Sequence, residues 1–388
     1  MRRLVLPALV ALPFATLLTA CTQNGGATKG SDSDTRTITV TSSDDACDLS
    51  ATEVPSGSLT FEVSNTGSDV TEFYLYGDGG DRIVSEVENI GPGLERELVV
   101  AVKPGDYIAA CKPGMKGDGI RVDLTVTDSG DAVASPDDAA LVDQAEEGYE
   151  DYVQAEADQL VTATEEFAKA YRAGDDDTAR ELYPEARTHW ERIETVAESF
   201  ADLDPILDAR EADLEPGQRW TGWHRLEKDL WPQRADAYTP LTSRERARYA
   251  DHLLRNTRTL DERIGELDFT VDQIANGSRG LMEEVATGKI TGEEEFWSRT
   301  DLWDFQANVD GAHEAFDLLE PLVATRDAEL EETLDERFEA LQDLLDQHRV
   351  GDGFRSYDEL SEAEIKELAT AVNALSEPLS ELTTVVVS

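Results

Sequence analysis

Two different periods divide this chain of 388 residues. Between residues 36 and 128 apolar and polar side chains alternate, as in Thr37-Ile38-Thr39-Val40, Leu59-Thr60-Phe61-Glu62-Val63 and Val122-Asp123-Leu124-Thr125-Val126. Successive side chains of a strand point to opposite faces, so this pattern predicts strands with one buried face. Residues 72–76 and 98–102 predict two more, and turns containing glycine or proline separate the runs at 65–67, 77–80, 91–93 and 103–106. Five such strands, with room for about two more, predict a β-sandwich.

From residue 141 the spacing of apolar residues changes to three and four. That period predicts helices over 141–173, 178–200, 244–264, 271–286, 302–319, 327–348 and 362–382. Thr242 with Glu245, and Ser361 with Glu364, have the spacing of capping boxes. Pro184, Pro205, Pro216, Pro232, Pro240, Gly351 and Gly353 mark expected breaks. Long helices with short connections predict helical bundles. The expected fold is therefore multidomain β + α: a sandwich at 36–128, a polar linker at 129–140, and an all-α domain at 141–388.

The N-terminus adds a targeting segment. Arg2 and Arg3 precede a short apolar stretch that ends in Leu18-Thr19-Ala20-Cys21. The stretch has signal-peptide flanks, and the last four residues resemble a bacterial lipobox. Residues 1–20 are expected to be a signal peptide, with Cys21 as the lipidated residue. Residues 21–35, rich in Gly, Ser, Thr and Asp, are expected to tether the chain to a membrane. This predicts an extracytoplasmic, lipid-anchored protein at the cell surface or in the periplasm.

Charge narrows the partners. The chain carries 83 acidic and 34 basic residues, a net of −49. Such a surface repels nucleic acid and attracts cations. Only five histidines are present, and His224 alone is followed by a glutamate three residues on, Glu227. On a helix these two share a face. Glu191 with Glu194, Asp208 within an aspartate cluster, and the adjacent pair Glu283 and Glu284 add carboxylates in helical segments. Bundles that hold metals do so with Glu and His from facing helices, and oxygen-rich sets with one imidazole suit iron, manganese or zinc. Equally, carboxylate pairs arise by chance in a chain with 30% charged residues.

Two cysteines remain, Cys47 and Cys111. Outside the cytoplasm they can pair in a disulfide. Alternatively, Cys111 and Met115 stand before the last strand, where cupredoxin-like sandwiches keep metal ligands. No histidine precedes His189, which excludes a blue-copper site built from the sandwich alone.

The stretches 190–194, 199–210, 221–231, 304–311 and 351–354 together resemble the EfeO family of bacterial iron-uptake proteins. The resemblance implies a cupredoxin-like domain followed by an imelysin-like domain, the latter also classed as a putative peptidase. It implies that Glu191, Glu194, Asp208, His224, Glu227 and Glu284 line a metal site, and that Cys47, Glu72 and Cys111 are sandwich ligands. It also implies iron, Fe2+ or Fe3+, as the ion, with zinc or copper as further candidates. The implied function is capture of iron for a membrane iron permease, alongside a secreted haem peroxidase, with no catalysis. The alternative is a zinc metallopeptidase. Inverted zinc peptidases require a second histidine directly after the glutamate, where this chain has Lys228.

Overall fold

The computed structural model describes residues 36–388 apart from 78, 81, 131–137, 215, 216 and 236. The expected signal peptide, Cys21, the tether and most of the linker lie outside the described residues. No described helix is long and apolar enough to cross a membrane.

The alternating segment folds into two facing sheets. Its strands are β1 (Thr37–Ser42), β2 (Cys47–Leu49), β3 (Glu53–Pro55), β4 (Gly57–Asn65), β5 (Thr71–Tyr76), β6 (Ile83–Ile90), β7 (Glu95–Val102), β8 (Gly105–Cys111) and β9 (Ile120–Thr127). One sheet runs β2-β1-β4-β7 and the other β3-β9-β8-β5-β6. Ile38, Val40, Leu59, Phe61, Val63, Phe73, Leu75 and Cys111 fill the space between them. Cys47 and Cys111 are joined in a disulfide that ties β2 to the end of β8, with Cα atoms 5.5 Å apart.

That bond corrects the expected sandwich metal set of Cys47, Glu72 and Cys111. Both sulfurs are consumed by each other. Glu72 also faces the wrong way. Phe73 pairs with Cys111 and packs with it in the core, so the residue before it points to the opposite face of β5. There Glu72 accepts a hydrogen bond from the Tyr74 hydroxyl at 2.8 Å.

The helices are α1 (Ala139–Ala173), α2 (Asp176–Glu191), α3 (Glu194–Glu198), α4 (Asp204–Leu207), α5 (Trp223–Leu230), α6 (Ser243–Ile264), α7 (Val271–Thr287), α8 (Asp301–Arg326), α9 (Ala328–Asp346) and α10 (Glu362–Val386). Both expected capping boxes form, at Thr242 and Ser361. A third forms at Thr270 with Gln273. Pro184, expected at a break, sits inside α2.

The helix expected over 178–200 is two helices, because the ladder stops at Arg192 and Ile193. The neighbouring helix supplies the reason. The Asn308 side-chain amide on α8 donates to the Glu191 carbonyl at 2.8 Å, replacing a helical donor. Gly311, one turn on, lies so close to Arg192 that any Cβ would collide with the Arg192 carbonyl. A glycine there lets α8 press into the break.

The described residues all belong to one compact unit. The second sheet and β7 lean on α7: Asn276 donates to the Val99 carbonyl at 2.9 Å, and buried Asp272 accepts from the Ala101 N–H at 2.8 Å. The Ile83 N–H of β6 donates to the Ser199 carbonyl just beyond α3 at 3.0 Å.

Candidate metal centre

The break between α2 and α3 aims carboxylates inward. Glu191 ends α2 and Glu194 begins α3, so they do not share one helical face as expected. They converge nonetheless, because Asn308 Nδ2 donates to Glu191 Oε2 at 3.2 Å and to Glu194 Oε2 at 2.9 Å. Asp208 follows α4. Gly222 caps α5 with φ 88° and sits against the Leu207 carbonyl, where a side chain would clash. That close approach brings α5, with His224 and Glu227, beside Asp208.

His224 is wholly buried. Its Nε2 lies 3.2 Å from Glu294 Oε1 and 3.5 Å from Asp208 Oδ1. Its Nδ1 lies 3.3 Å from Glu227 Oε2 and 3.9 Å from Glu295 Oε1. Glu227 is fixed in turn: its other oxygen accepts from the Trp297 and Ser298 backbone N–H groups at 2.7 and 2.6 Å. Ligand atoms of Asp208, His224 and Glu294 lie within 4.8 Å of one another, as do those of His224, Glu227 and Glu295, and those of Glu191, Glu194 and Asp208. A cleft lined by Arg210, Glu293, Glu294, Phe296 and Trp297 reaches His224 from outside.

Two basic side chains share this space. The buried Arg187 guanidinium bonds to Asp208 and Glu191 and lies 3.4 Å from Glu294. Buried Lys289 donates to both oxygens of Glu194 at 2.7 and 2.9 Å and lies 3.4 Å from Glu191. Glu191, Glu194, Asp208, Glu227, Glu294, Glu295 and Asp304 thus face two buried permanent cations, and Arg210 reaches Glu294 from the rim at 3.3 Å.

The imbalance governs protonation. Burial pushes Glu295 up to about 8, with the Glu227 charge adding to it. Burial, then Glu194, pushes Glu191 well above the usual carboxylate range. Burial works against ionisation of Glu294 too, but Lys289 and His224 outweigh it and hold its pKa well below that range. Burial disfavours the His224 imidazolium, but Asp208 and the other carboxylates raise its pKa well above the ordinary value.

Glu284 stands slightly apart. It groups with Glu194 and Glu198, and Lys289 Nζ lies 3.8 Å from it. Its neighbour Glu283 pairs with Arg279 at 3.5 Å instead, so Glu284 is the inward member of the pair. A cavity between β6 and α7 exposes Glu198 and Glu284 of this second group to Glu86 and Glu88 of the sandwich. Glu194 belongs to both groups and links them.

Sequence reasoning missed Arg187, Lys289, Glu294, Glu295, Asp304 and Asn308. The run Glu293-Glu294-Glu295 reads as a solvated acidic stretch. Its one signal is the apolar pair Phe296-Trp297 directly after it.

A sandwich joined to a helical unit with a buried His and carboxylate cage defines a two-part class of protein. Comparison with known proteins agrees. Residues 8–126 match the cupredoxin-like domain family and residues 145–382 match the imelysin family, which bears a peptidase designation. The "Iron uptake system component EfeO" of Yersinia pestis is 38% identical over 352 residues, covering 90% of this chain and 91% of that protein. The protein of the same name from Escherichia coli O1:K1 is 38% identical over 351 residues, covering 89% and 90%. The chain belongs to the EfeO family.

Proposed function

We propose that this protein captures iron with the cage around His224 and passes it on within an uptake system. One observation carries the reading: among the described residues an imidazole and seven carboxylates, all but Asp208 buried, converge on buried Arg187 and Lys289, with Arg210 reaching Glu294 from the rim, so carboxylates outnumber the basic groups. Like charges packed in low dielectric are unfavourable without a cation. An oxygen-rich set with one imidazole suits iron, and the relatives carry iron uptake in their name.

His224, Glu227, Asp208 and Glu294 are the proposed ligands, with Glu191, Glu194 and Glu295 beside them. Glu284 belongs to a neighbouring position facing the sandwich. The arrangement favours capture over peptide hydrolysis. Both ring nitrogens of His224 face carboxylates, one Glu227 oxygen is tied to backbone, and Lys228 stands where a peptidase would need its second histidine.

The finer parts of the reading rest on the sequence. A membrane iron permease would take the iron, and a secreted haem peroxidase would work beside it. The run 18–21 supports a lipid anchor at Cys21 outside the cytoplasm, and Cys21→Ser should release the protein from the membrane fraction. A variant that stays membrane-bound would refute the anchor. We also propose the division into residues 36–128 and 141–388. It is supported by strands that end at Thr127 and a helix that begins at Ala139.

The test is calorimetric titration of Fe2+, without oxygen, into the full chain. Wild type should bind, and His224→Ala with Glu227→Ala should bind at least about 100-fold more weakly with unchanged helix content. Equal affinities would refute the site.

A further inference from the structure

Arg187 enters the cage from α2 with its side chain completely buried. Its terminal nitrogens are drawn forward onto Asp208 and Glu191, and toward Glu294. Its Nε is left over. It lies 2.7 Å from Glu295 Oε1, but out of line, so Nε makes no hydrogen bond.

Asp304 is in the reciprocal position. It sits in the first turn of α8, completely buried, and neither carboxyl oxygen has a hydrogen-bond partner among the described residues. Its nearest basic atom is Arg187 Nε, 3.8 Å from Oδ1. A buried polar group without a partner is costly to keep. A charge-assisted N–H···O bond spans roughly 2.8 Å, so the guanidinium stops about 1 Å short.

The cage accounts for the gap. Asp208 and Glu294, which hold Arg187 forward, are the carboxylates that a bound ion would claim. On the reading of the cage as an iron site, we propose that Arg187 retreats onto Asp304 when the ion binds, so that Asp304 is a positioning residue for iron capture. The guanidinium is the internal stand-in for the ion. Asp304 never touches the ion; it gives the displaced guanidinium a partner and so favours the loaded state. Without it, the displaced guanidinium would keep only its contacts with Glu191 and Glu295 in place of those it loses.

The pair makes a prediction that a merely structural role does not. Asp304→Asn keeps shape and removes the capacity to ionise. In the full chain it should weaken Fe2+ affinity roughly tenfold, within the usual range of coupling between sites. The metal-free protein should melt no lower than wild type, because a buried carboxyl without a hydrogen-bond partner has been replaced by an amide of the same shape. In an Arg187→Met background the same change should leave Fe2+ affinity unaltered. An unchanged affinity in Asp304→Asn, or an equal loss in both backgrounds, would overturn the proposal while leaving the iron site standing. Wild type that takes up no Fe2+ would overturn the iron reading and the proposal with it. If Arg187→Met does not fold, the iron-loaded crystal structure decides. Arg187 Nε should lie within about 3 Å of Asp304, and a distance still near 3.8 Å would overturn the proposal.

Discussion

At the scale of single residues, the cage stores protons. Glu284 and Glu295 are pushed up to about 8 and Asp204 to about 7, with burial the largest cause for each. A carboxyl with a raised folded pKa keeps its proton after the unfolded chain has lost it. Its contribution to stability is complete below the ordinary carboxylate range, near pH 4, and is lost as pH rises through the folded value. The metal-free protein should therefore lose stability between about pH 5 and pH 8. Glu294 works in the opposite sense, but its lowered pKa confines its effect to more acid solution. Because protons must leave before an ion is bound, Fe2+ affinity should rise over the same window. Melting curves and titrations at about pH 5.5 and pH 8 check both slopes; flat profiles would contradict them.

At the scale of elements, the decisive feature is the break between α2 and α3. Gly311→Ala places a methyl group against the Arg192 carbonyl, which should force α8 away from the break. Overpacking of this kind typically costs about 1–3 kcal/mol. Iron affinity should fall too, because Asn308 on the same helix orients Glu191 and Glu194. Calorimetric melting and titration of the variant check this, and an unchanged affinity would show that the break does not set the cage. The disulfide makes the opposite prediction. It closes a loop of 64 residues, so Cys47→Ala with Cys111→Ala should cost up to about 4 kcal/mol. Iron affinity should hold, because the cysteines are not ligands. A large loss of iron binding would restore the sandwich site.

Elements also mark what was legible in the sequence. Strand alternation and helix period reported the two-part fold, because both reflect which face is buried. His224 with Glu227 was legible because i and i+3 share a helical face. Glu191 and Glu194 were legible as a pair but for the wrong reason, since a contact from distant Asn308 breaks their helix. Arg187 and Lys289 were invisible, because a basic residue in an acidic chain reads as solvated. Asp304 was hidden because one aspartate among 83 acidic residues also reads as solvated, and only the packing of α8 buries it.

At the scale of the molecule, the sandwich and the helices share one hydrogen-bonded interface. Asn276 donates to the Val99 carbonyl and accepts from Thr383 at 2.7 Å. The described chain should therefore unfold in one transition. Asn276→Ala, which strands buried partners worth roughly 1–3 kcal/mol, should lower that single transition rather than one of two. Two well-separated calorimetric transitions in the wild type would contradict this. The interface also sets Glu88 of β6 near Glu198 and Glu284, so the sandwich faces the cage's outer carboxylates.

Iron anomalous scattering from a crystal of the full chain, loaded with Fe2+ without oxygen, tests the central claim most directly. The expected peak lies at bonding distance from His224 and from at least two of Asp208, Glu227 and Glu294. A peak confined to the sandwich, or none within reach of His224 in a crystal that has taken up iron, would contradict it.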